Sequence, residues 1–242
     1  MMNAIKKLWM LAVLMSVPVL ASASGAGVPL DKAPVNLGDN ASLQRGAKFF
    51  TANCLACHSA AYMRYNRLKD IGMSEDEIKQ MLPEGSKLGS TMQAAMDPGS
   101  AKLAFGVFPP DLSVIARARG QDWLYTYLRS FYMDTKRPSG ANNLVFPSVG
   151  MPNIFAPFQG ERELHVETHE GHEIKKLVEI KPGSMKPDEF NATIADVTNY
   201  LVYMGDPSSL VRHKIGYIVL GFLLLLFVLT FALKKEVWKD IH

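Results

Sequence analysis

The stretch ANCLACHSAAYMRY, residues 52–65, contains the only two cysteines of the chain, Cys54 and Cys57, and His58 directly follows the second. Such a pair can form a disulfide, hold half of a zinc site, act as a redox couple, or bind a haem covalently. In a helical turn, positions i, i+3 and i+4 lie on one face. Both thiols and the imidazole of a C-x-x-C-H motif can therefore reach the same group, which is the arrangement of c-type haem attachment.

The other three interpretations fit the chain less well. A disulfide across three residues would close a very small loop and constrain the unfolded chain little. A zinc site takes four ligands, and a single cysteine pair supplies half of them. A thioredoxin-like pair follows a β-strand, whereas Leu43, Ala47 and Phe50 ahead of the motif have helical spacing. The motif thus predicts a covalent haem c on both cysteines, with the histidine as an iron ligand.

The N-terminus has the features of an export signal. Lys6 and Lys7 precede an apolar run over residues 8–20, and residues 21–23 form an A-x-A cleavage pattern. A basic start, a short apolar segment and small residues at the cleavage point are typical of a secretory signal peptide. We therefore predict that residues 1–23 are removed and that the following domain is exported.

A second apolar segment lies near the C-terminus, where residues 215–233 include no charged side chain. As a helix they would span ~28 Å, close to the thickness of the hydrocarbon core of a membrane. This predicts an anchor over residues 212–235 and a short cytoplasmic tail over residues 236–242. The domain between signal and anchor, residues 24–211, would then lie outside the cytoplasm.

The charge of this domain bears on its partners. Residues 24–211 contain 19 Lys and Arg against 21 Asp and Glu, a net charge of −2, and no basic stripe. A nucleic-acid partner is therefore excluded.

Two features of residues 161–180 can be interpreted either as functional or as ordinary surface residues. Three histidines there are expected to be exposed rather than metal ligands, because they lack recognisable ligand spacing: His165, His169 and His172. An acidic run either steers a basic protein partner or is an ordinary solvated surface: Glu161, Glu163, Glu167, Glu170 and Glu173.

Hydrophobic periodicity predicts a mainly α-helical domain with long loops and one small β-hairpin. A capping box at Ser74 and Glu77 opens one short helix. Gly46 lies inside the first helix, either simply tolerated there or allowing another helix to approach closely.

The predicted helices are residues 42–53, a segment after the motif to 65 or 69, 121–132 and 188–204. The predicted hairpin pairs residues 164–167 with 173–180, and the predicted irregular segments are 25–40, 85–106 and 136–159.

A second iron ligand is expected, because an electron carrier keeps both axial positions filled, and a Met opposite a His raises the reduction potential. The chain has 13 methionines. Two of them lie in proline-containing loops, Met151 in FPSVGMPNIFAPF and Met185 in KPGSMKPDEF. Spacing alone does not choose between them.

Three segments resemble the cytochrome c1 family: SLQRGAKFFTANCLACHSAAYMRYNRL (42–68), PPDLSVIARAR (109–119) and FPSVGMPNIF (146–155). The resemblance also covers the order of elements and the single C-terminal span, and it is to the shorter bacterial form, which implies a periplasmic domain at a bacterial inner membrane. It implies a cytochrome c-like haem domain in which Cys54 and Cys57 form the thioethers, His58 is the proximal ligand and Met151, rather than Met185, is the distal ligand. It further implies a contact of one haem propionate with Arg119 and a haem cleft shaped by Pro109 and Pro110.

This sequence departs from the family pattern at two places. Residues 104–108, AFGVF, stand where many relatives have asparagine and glycine, so a side-chain amide at the haem edge is missing. Trp123 stands where others often have tyrosine, which removes a hydroxyl.

The resemblance implies an electron-transfer subunit of ubiquinol–cytochrome c oxidoreductase, the cytochrome bc1 complex. The chain would work beside a cytochrome b, take electrons from a Rieske iron–sulfur protein and pass them to a cytochrome c. It would not be an enzyme on its own. One alternative is a free membrane-tethered cytochrome that shuttles between complexes, and another is an exported thiol–disulfide oxidoreductase.

Overall fold

The computed structural model describes residues 28–169 and 172–239, so the predicted signal peptide lies outside the described residues. The predicted fold class is confirmed: the chain is about half helical, with small antiparallel strand pairs and one apolar C-terminal helix. The helices are α1 (Asn40–Asn53), α2 (Glu75–Gln80), α3 (Pro98–Phe105), α4 (Ile115–Arg119), α5 (Gln121–Arg129), α6 (Ala156–Gln159), α7 (Pro187–Gly205) and α8 (Ser209–Val237), with a 3-10 helix at Tyr65–Ile71. The strands are β1 (Ala60–Arg64), β2 (Thr91–Met92), β3 (Phe131–Met133), β4 (Ala141–Asn143), β5 (Glu161–His169) and β6 (His172–Lys181).

Helices α1 and α7 cross in the core of the domain. Phe50 and Tyr200 are fully buried there, with ring centroids 5.5 Å apart. A Cβ added to Gly46 would lie 2.1 Å from the carbonyl oxygen of Asp196, so the backbones approach too closely for any side chain. The close helix approach at Gly46 is therefore confirmed. Arg45 adds a bidentate ion pair to Asp196, at 2.6 and 2.9 Å.

The extended segment before α1 is held by side chains of the helices beneath it. Thr126 accepts a hydrogen bond from the amide of Asp31, and Asn199 accepts one from the amide of Asn36. Asp39 then caps α1, since its carboxylate accepts from the amide of Ser42 at 3.0 Å. The predicted extended arm is confirmed over the part that the structure describes.

The segment after the C-x-x-C-H motif is not the predicted helix. Ala60–Arg64 is strand β1, which pairs with β2 and buries Ala60 and Met63, and a 3-10 helix follows. Pairing with a strand about 30 positions away outweighed the local preference for helix. The capping box of α2 is confirmed: Ser74 accepts from the amide of Glu77, and the carboxylate of Glu77 accepts from the amide of Ser74.

Two segments predicted as loops contain short elements. Residues 85–106 include β2 and helix α3, which starts with Asp97 as N-cap and Pro98 at its first position. Residues 136–159 include β4 and α6. The helix predicted over 121–132 ends at Arg129, because Phe131–Met133 pair with β4 instead. These elements are too short to give a periodic pattern.

The predicted hairpin is confirmed and is longer than expected, with β5 and β6 paired from Glu161↔Lys181 to His169↔His172. Its outer surface carries ion pairs, Lys176 with Glu167 and Lys181 with Glu161. His165 is exposed. Within residues 28–169 and 172–239 no group of three or more His, Cys, Asp and Glu side chains is arranged to hold a metal ion.

The C-terminal helix is long and apolar enough to cross a membrane over Val211–Val237, and its large apolar side chains are exposed in the isolated chain. Three residues separate α7 from α8. Arg212 and Asp206 form an ion pair at 2.6 Å across this connection.

Candidate functional site

A cavity of about 280 Å³ opens beside the end of α1. Four segments that are far apart in the sequence form its wall: the end of α1 with the motif, residues 105–128 with helices α4 and α5, the loop 146–155, and residues 197–201 of α7. All the site residues predicted from the sequence line it, namely Cys54, Cys57, His58, Pro109, Pro110, Arg119 and Met151. The remaining wall is mostly apolar, with Leu124, Leu128, Ile154, Phe155 and Leu201 among its side chains.

The motif folds as one helical turn at the end of α1. The amide of Cys57 donates to the carbonyl of Cys54 at 3.1 Å, and the amide of His58 donates to the same carbonyl at 2.9 Å. This turn brings positions 54, 57 and 58 to the cavity, as the spacing predicts. Both cysteines are free thiols, and burial, followed by the charge of Cys57, raises the pKa of Cys54 to about 12. Cys54 therefore carries its proton at neutral pH.

His58 is held in one orientation by the loop opposite. Its Nδ1 lies 2.8 Å from the carbonyl oxygen of Pro110, and a carbonyl only accepts, so Nδ1 carries the proton. Nε2 then has the free lone pair that a metal needs. Burial lowers the pKa of His58, against the opposing effects of the Pro110 carbonyl and Asp111, which favours the neutral imidazole.

Asp111 ties this loop to the body of the domain. Its carboxylate accepts from the amide of Ala61 and from the amide of Ser113, both at 2.8 Å. Burial works against the charge, but hydrogen bonds from the Ser113 side chain and from the two amides outweigh it and hold the pKa of Asp111 below its ordinary value. Asp111 therefore fixes the loop whose Pro110 carbonyl orients His58.

The two candidate methionines lie in different places. Met151 lines the cavity, and its Sδ lies 3.4 Å from the hydroxyl of Tyr127. Met185 is not among the residues that line the cavity; it packs against the core, with the Thr193 hydroxyl 3.8 Å from its sulfur. Of the two, Met151 is the one that shares a cavity with His58.

Arg119 stands at the rim between two aromatic rings. Its guanidinium carbon lies 5.2 Å from the Trp123 ring centroid and 5.7 Å from that of Phe146. In the part of the chain that the structure describes, no carboxylate lies within ion-pair distance of it. Arg117 points elsewhere, along Gly205.

Sequence reasoning did not single out Tyr127 and Phe146. The available signal was the i, i+4 spacing of Tyr127 from Trp123. The rings of Trp123 and Tyr127 stack with centroids 4.7 Å apart and planes 11° apart. At the segment that departs from the family pattern, Phe105, Val107 and Phe108 line the cavity with apolar side chains.

The residues present fit a covalent haem c. Two free thiols at C-x-x-C spacing, an imidazole with a free Nε2, a thioether and an unpaired guanidinium meet in one apolar cavity. Thioether attachment, His and Met ligation, and neutralisation of a carboxylate by arginine are what such a group needs.

The chain is similar to known proteins over nearly its whole length. The family model described as "Cytochrome C1 family" matches residues 31–90 and 92–241. A protein of Nitrosomonas europaea named "Ammonia monooxygenase gamma subunit" is 50% identical over 237 residues, 98% of each chain. "Cytochrome c1" of Allochromatium vinosum is 46% identical over 243 residues, 98% of this chain and 100% of that one. "Cytochrome c1" of Rhodospirillum rubrum is 28% identical over 240 residues, covering 84% and 83%.

Proposed function

Because this chain belongs to the cytochrome c1 family, we propose that it takes electrons one at a time from a Rieske iron–sulfur protein and passes them to a cytochrome c. Members of the family carry one covalently attached haem c and are the electron-transfer subunit of the cytochrome bc1 complex. That placement makes the chain a subunit of a membrane complex, and a cytochrome b is its proposed neighbour there.

We assign the residues of the cavity as follows. The sulfurs of Cys54 and Cys57 form the two thioethers, Nε2 of His58 is the proximal ligand and Sδ of Met151 is the distal ligand. Arg119 pairs with a propionate, and Pro109 and Pro110 shape the cleft. The bound haem supplies a one-electron iron couple. The observation that supports the assignment best is that these thiols, Nε2 and Sδ all line one cavity.

The protein's own contribution is rigidity and exclusion of water. His58 is oriented by the Pro110 carbonyl, and the loop that contains Pro110 is fixed by Asp111, so the imidazole of His58 cannot rotate freely. With Met151 as a second protein ligand, a bound haem would have no open position for a substrate. The apolar wall keeps water away, and the rim residues Val107 and Phe108 are exposed where a partner would approach. Such a site suits electron transfer and not catalysis by the chain alone.

The topology we propose is a signal peptide over residues 1–23, a periplasmic domain over 24–211, an anchor over 212–235 and a cytoplasmic tail over 236–242, at the bacterial inner membrane. The apolar helix α8 supports the anchor. The connection of three residues between α7 and α8 favours a fixed subunit over a tethered shuttle, which needs a long flexible linker.

The test uses the full-length protein in its own membrane. Haem staining after denaturing electrophoresis should show covalent haem, and replacing both Cys54 and Cys57 with Ala should abolish it. The Met151→Leu variant should lose the iron–thioether charge-transfer band, whereas the matched Met185→Leu variant should keep it. Loss of the band in Met185→Leu alone would reassign the distal ligand.

Co-purification separates the partner assignments. A cytochrome b and a Rieske protein should be retained on the tagged, detergent-solubilised chain. The name of the Nitrosomonas europaea relative offers a different partner. Recovery of a monooxygenase in place of those two subunits would contradict the proposal, as would recovery of the haem protein alone.

A further inference from the structure

Three side chains at four-residue spacing form one wall of the cavity: Arg119, Trp123 and Tyr127. The guanidinium of Arg119 lies over the Trp123 ring, and the Trp123 ring stacks on that of Tyr127. The stack runs from the proposed propionate contact to the proposed distal ligand, so it connects two parts of the site that are 32 positions apart in the sequence.

The end of this stack is a hydrogen bond to sulfur. The Tyr127 hydroxyl donates to Sδ of Met151 at 3.4 Å, which is within the range for a sulfur acceptor. Tyr127 is buried, and Met151 is the one partner of its hydroxyl among the residues described. A thioether sulfur has two lone pairs, so one can bind a metal while the other accepts this hydrogen bond.

The ring of Tyr127 is held on two sides. Trp123 stacks on one face, and Phe131 contacts it edge-on with centroids 5.1 Å apart. A ring fixed in this way cannot easily move its hydroxyl away from the sulfur. Trp123 thus contributes a flat surface that orients Tyr127.

We propose that Tyr127 is a positioning residue that raises the reduction potential of the site by donating its hydrogen bond to Sδ of Met151. The inference rests on the proposed ligation by Met151. A donor on sulfur withdraws electron density from it and makes it a weaker donor to iron. The ferric state depends more on that donation than the ferrous state does, so the hydrogen bond favours the reduced form. Hydrogen bonds from residues around a ligand commonly tune metal sites in this way.

Potentiometric titration of the Tyr127→Phe variant in the intact membrane complex tests the proposal. The variant should keep the iron–thioether band and have a lower potential. At a fixed ambient potential, its ferrous-to-ferric ratio should fall roughly 3- to 10-fold, the range for loss of one hydrogen bond. A tenfold change corresponds to about 59 mV in a one-electron couple.

Tyr125→Phe is the matched control. It makes the same change two positions away on α5, where the ring packs on Arg129, 3.9 Å from the guanidinium carbon, and does not line the cavity. Its potential should equal that of the unaltered protein. An equal shift of the potential in both variants would mean that loss of either hydroxyl from α5 has the same effect, and would overturn the inference.

A second variant keeps the proposal testable if Tyr127→Phe fails to accumulate. Site-specific 3-fluorotyrosine at position 127 keeps the shape of the ring and makes the hydroxyl a stronger donor, so the potential should rise. An unchanged potential in either variant overturns the role of Tyr127 while leaving the ligand assignment intact. Retention of the band in Met151→Leu would instead defeat the proposed ligation itself, and the inference with it.

Discussion

The crossing of α1 and α7 and the wall of the cavity belong to one domain but differ in how tightly they are packed. At the crossing, the helices are so close that Gly46 has no room for a Cβ, and Phe50 and Tyr200 are fully buried. At the cavity, side chains from four segments leave about 280 Å³ between them. The first region is completed by the chain alone, whereas the second needs a bound group to complete its packing.

Helix α1 joins the two regions. Phe50 packs against Tyr200, and one turn later Cys54 lines the cavity. The attachment point of the proposed haem therefore sits at the end of a helix that is anchored in the buried core, which preorganises the site. Substitutions at the crossing should change stability, and substitutions around the cavity should change the properties of the bound group.

The largest effect is expected from truncating a ring at the crossing. Phe50→Ala should lower the free energy of unfolding by about 3–5 kcal/mol, because it removes a fully buried ring and leaves a void. Phe108→Ala, at the exposed rim of the cavity, should cost less than about 0.5 kcal/mol. Denaturant unfolding of the detergent-solubilised protein, followed by circular dichroism, measures both. Equal losses would show that the two regions do not differ.

A smaller effect is expected at the closest approach of the helices. Gly46→Ala should destabilise the protein by about 1–3 kcal/mol, because the backbones must separate, even though alanine favours helix. Gly89→Ala is the control, since a Cβ there meets nothing within 4 Å. Thermal unfolding of both variants provides the measurement. A Gly46→Ala protein as stable as the control would mean that the crossing tolerates a wider separation.

Two arginines of helix α4, Arg119 and Arg117, test whether residues around the cavity change the reduction potential. Arg119→Gln should lower the reduction potential, because the positive charge favours the electron-rich form. The ferrous-to-ferric ratio should fall about tenfold, equal to ~1.4 kcal/mol, near the lower end for a hydrogen bond to a charged group. Arg117→Gln should leave the potential unchanged, since Arg117 does not line the cavity. A redox titration in which Arg117→Gln gives the larger shift would contradict the assignment of Arg119.

The smallest effect is expected at the capping box of α2, whose hydrogen bonds are exposed at the surface of the domain. Hydrogen bonds from the backbone amide and hydroxyl of Ser74, with help from Lys48, hold the pKa of Glu77 below its ordinary value. A lowered pKa stabilises the fold above the unfolded-state value of ~4.3 and ceases to do so as the pH falls through the folded value. Glu77→Gln should therefore flatten the acid limb of the stability profile slightly. A steeper acid limb in that variant would contradict the role of Glu77.

The elements predicted well are those with a long local pattern. Helix α7, the hairpin, the apolar helix α8 and the capping box at Ser74 each follow from residues within one segment. The strand β1 was predicted as helix because its partner β2 lies some 30 positions away, and nothing near it in the sequence indicates that pairing. Helix α3 had a signal, Asp97 followed by Pro98, but eight residues give little periodicity.

By itself, the sequence determined the attachment motif and the candidate membrane span, because thioether chemistry needs a spacing within one helical turn and a bilayer needs one uninterrupted apolar length. Only the tertiary structure placed Met151, and not Met185, in the cavity with His58, since both methionines lie in similar proline-containing loops. It also decided the contact of Tyr127 with Met151, across 24 positions. The physical reason is that a site enclosed by four distant segments depends on how the segments pack, and no short stretch of sequence specifies that packing.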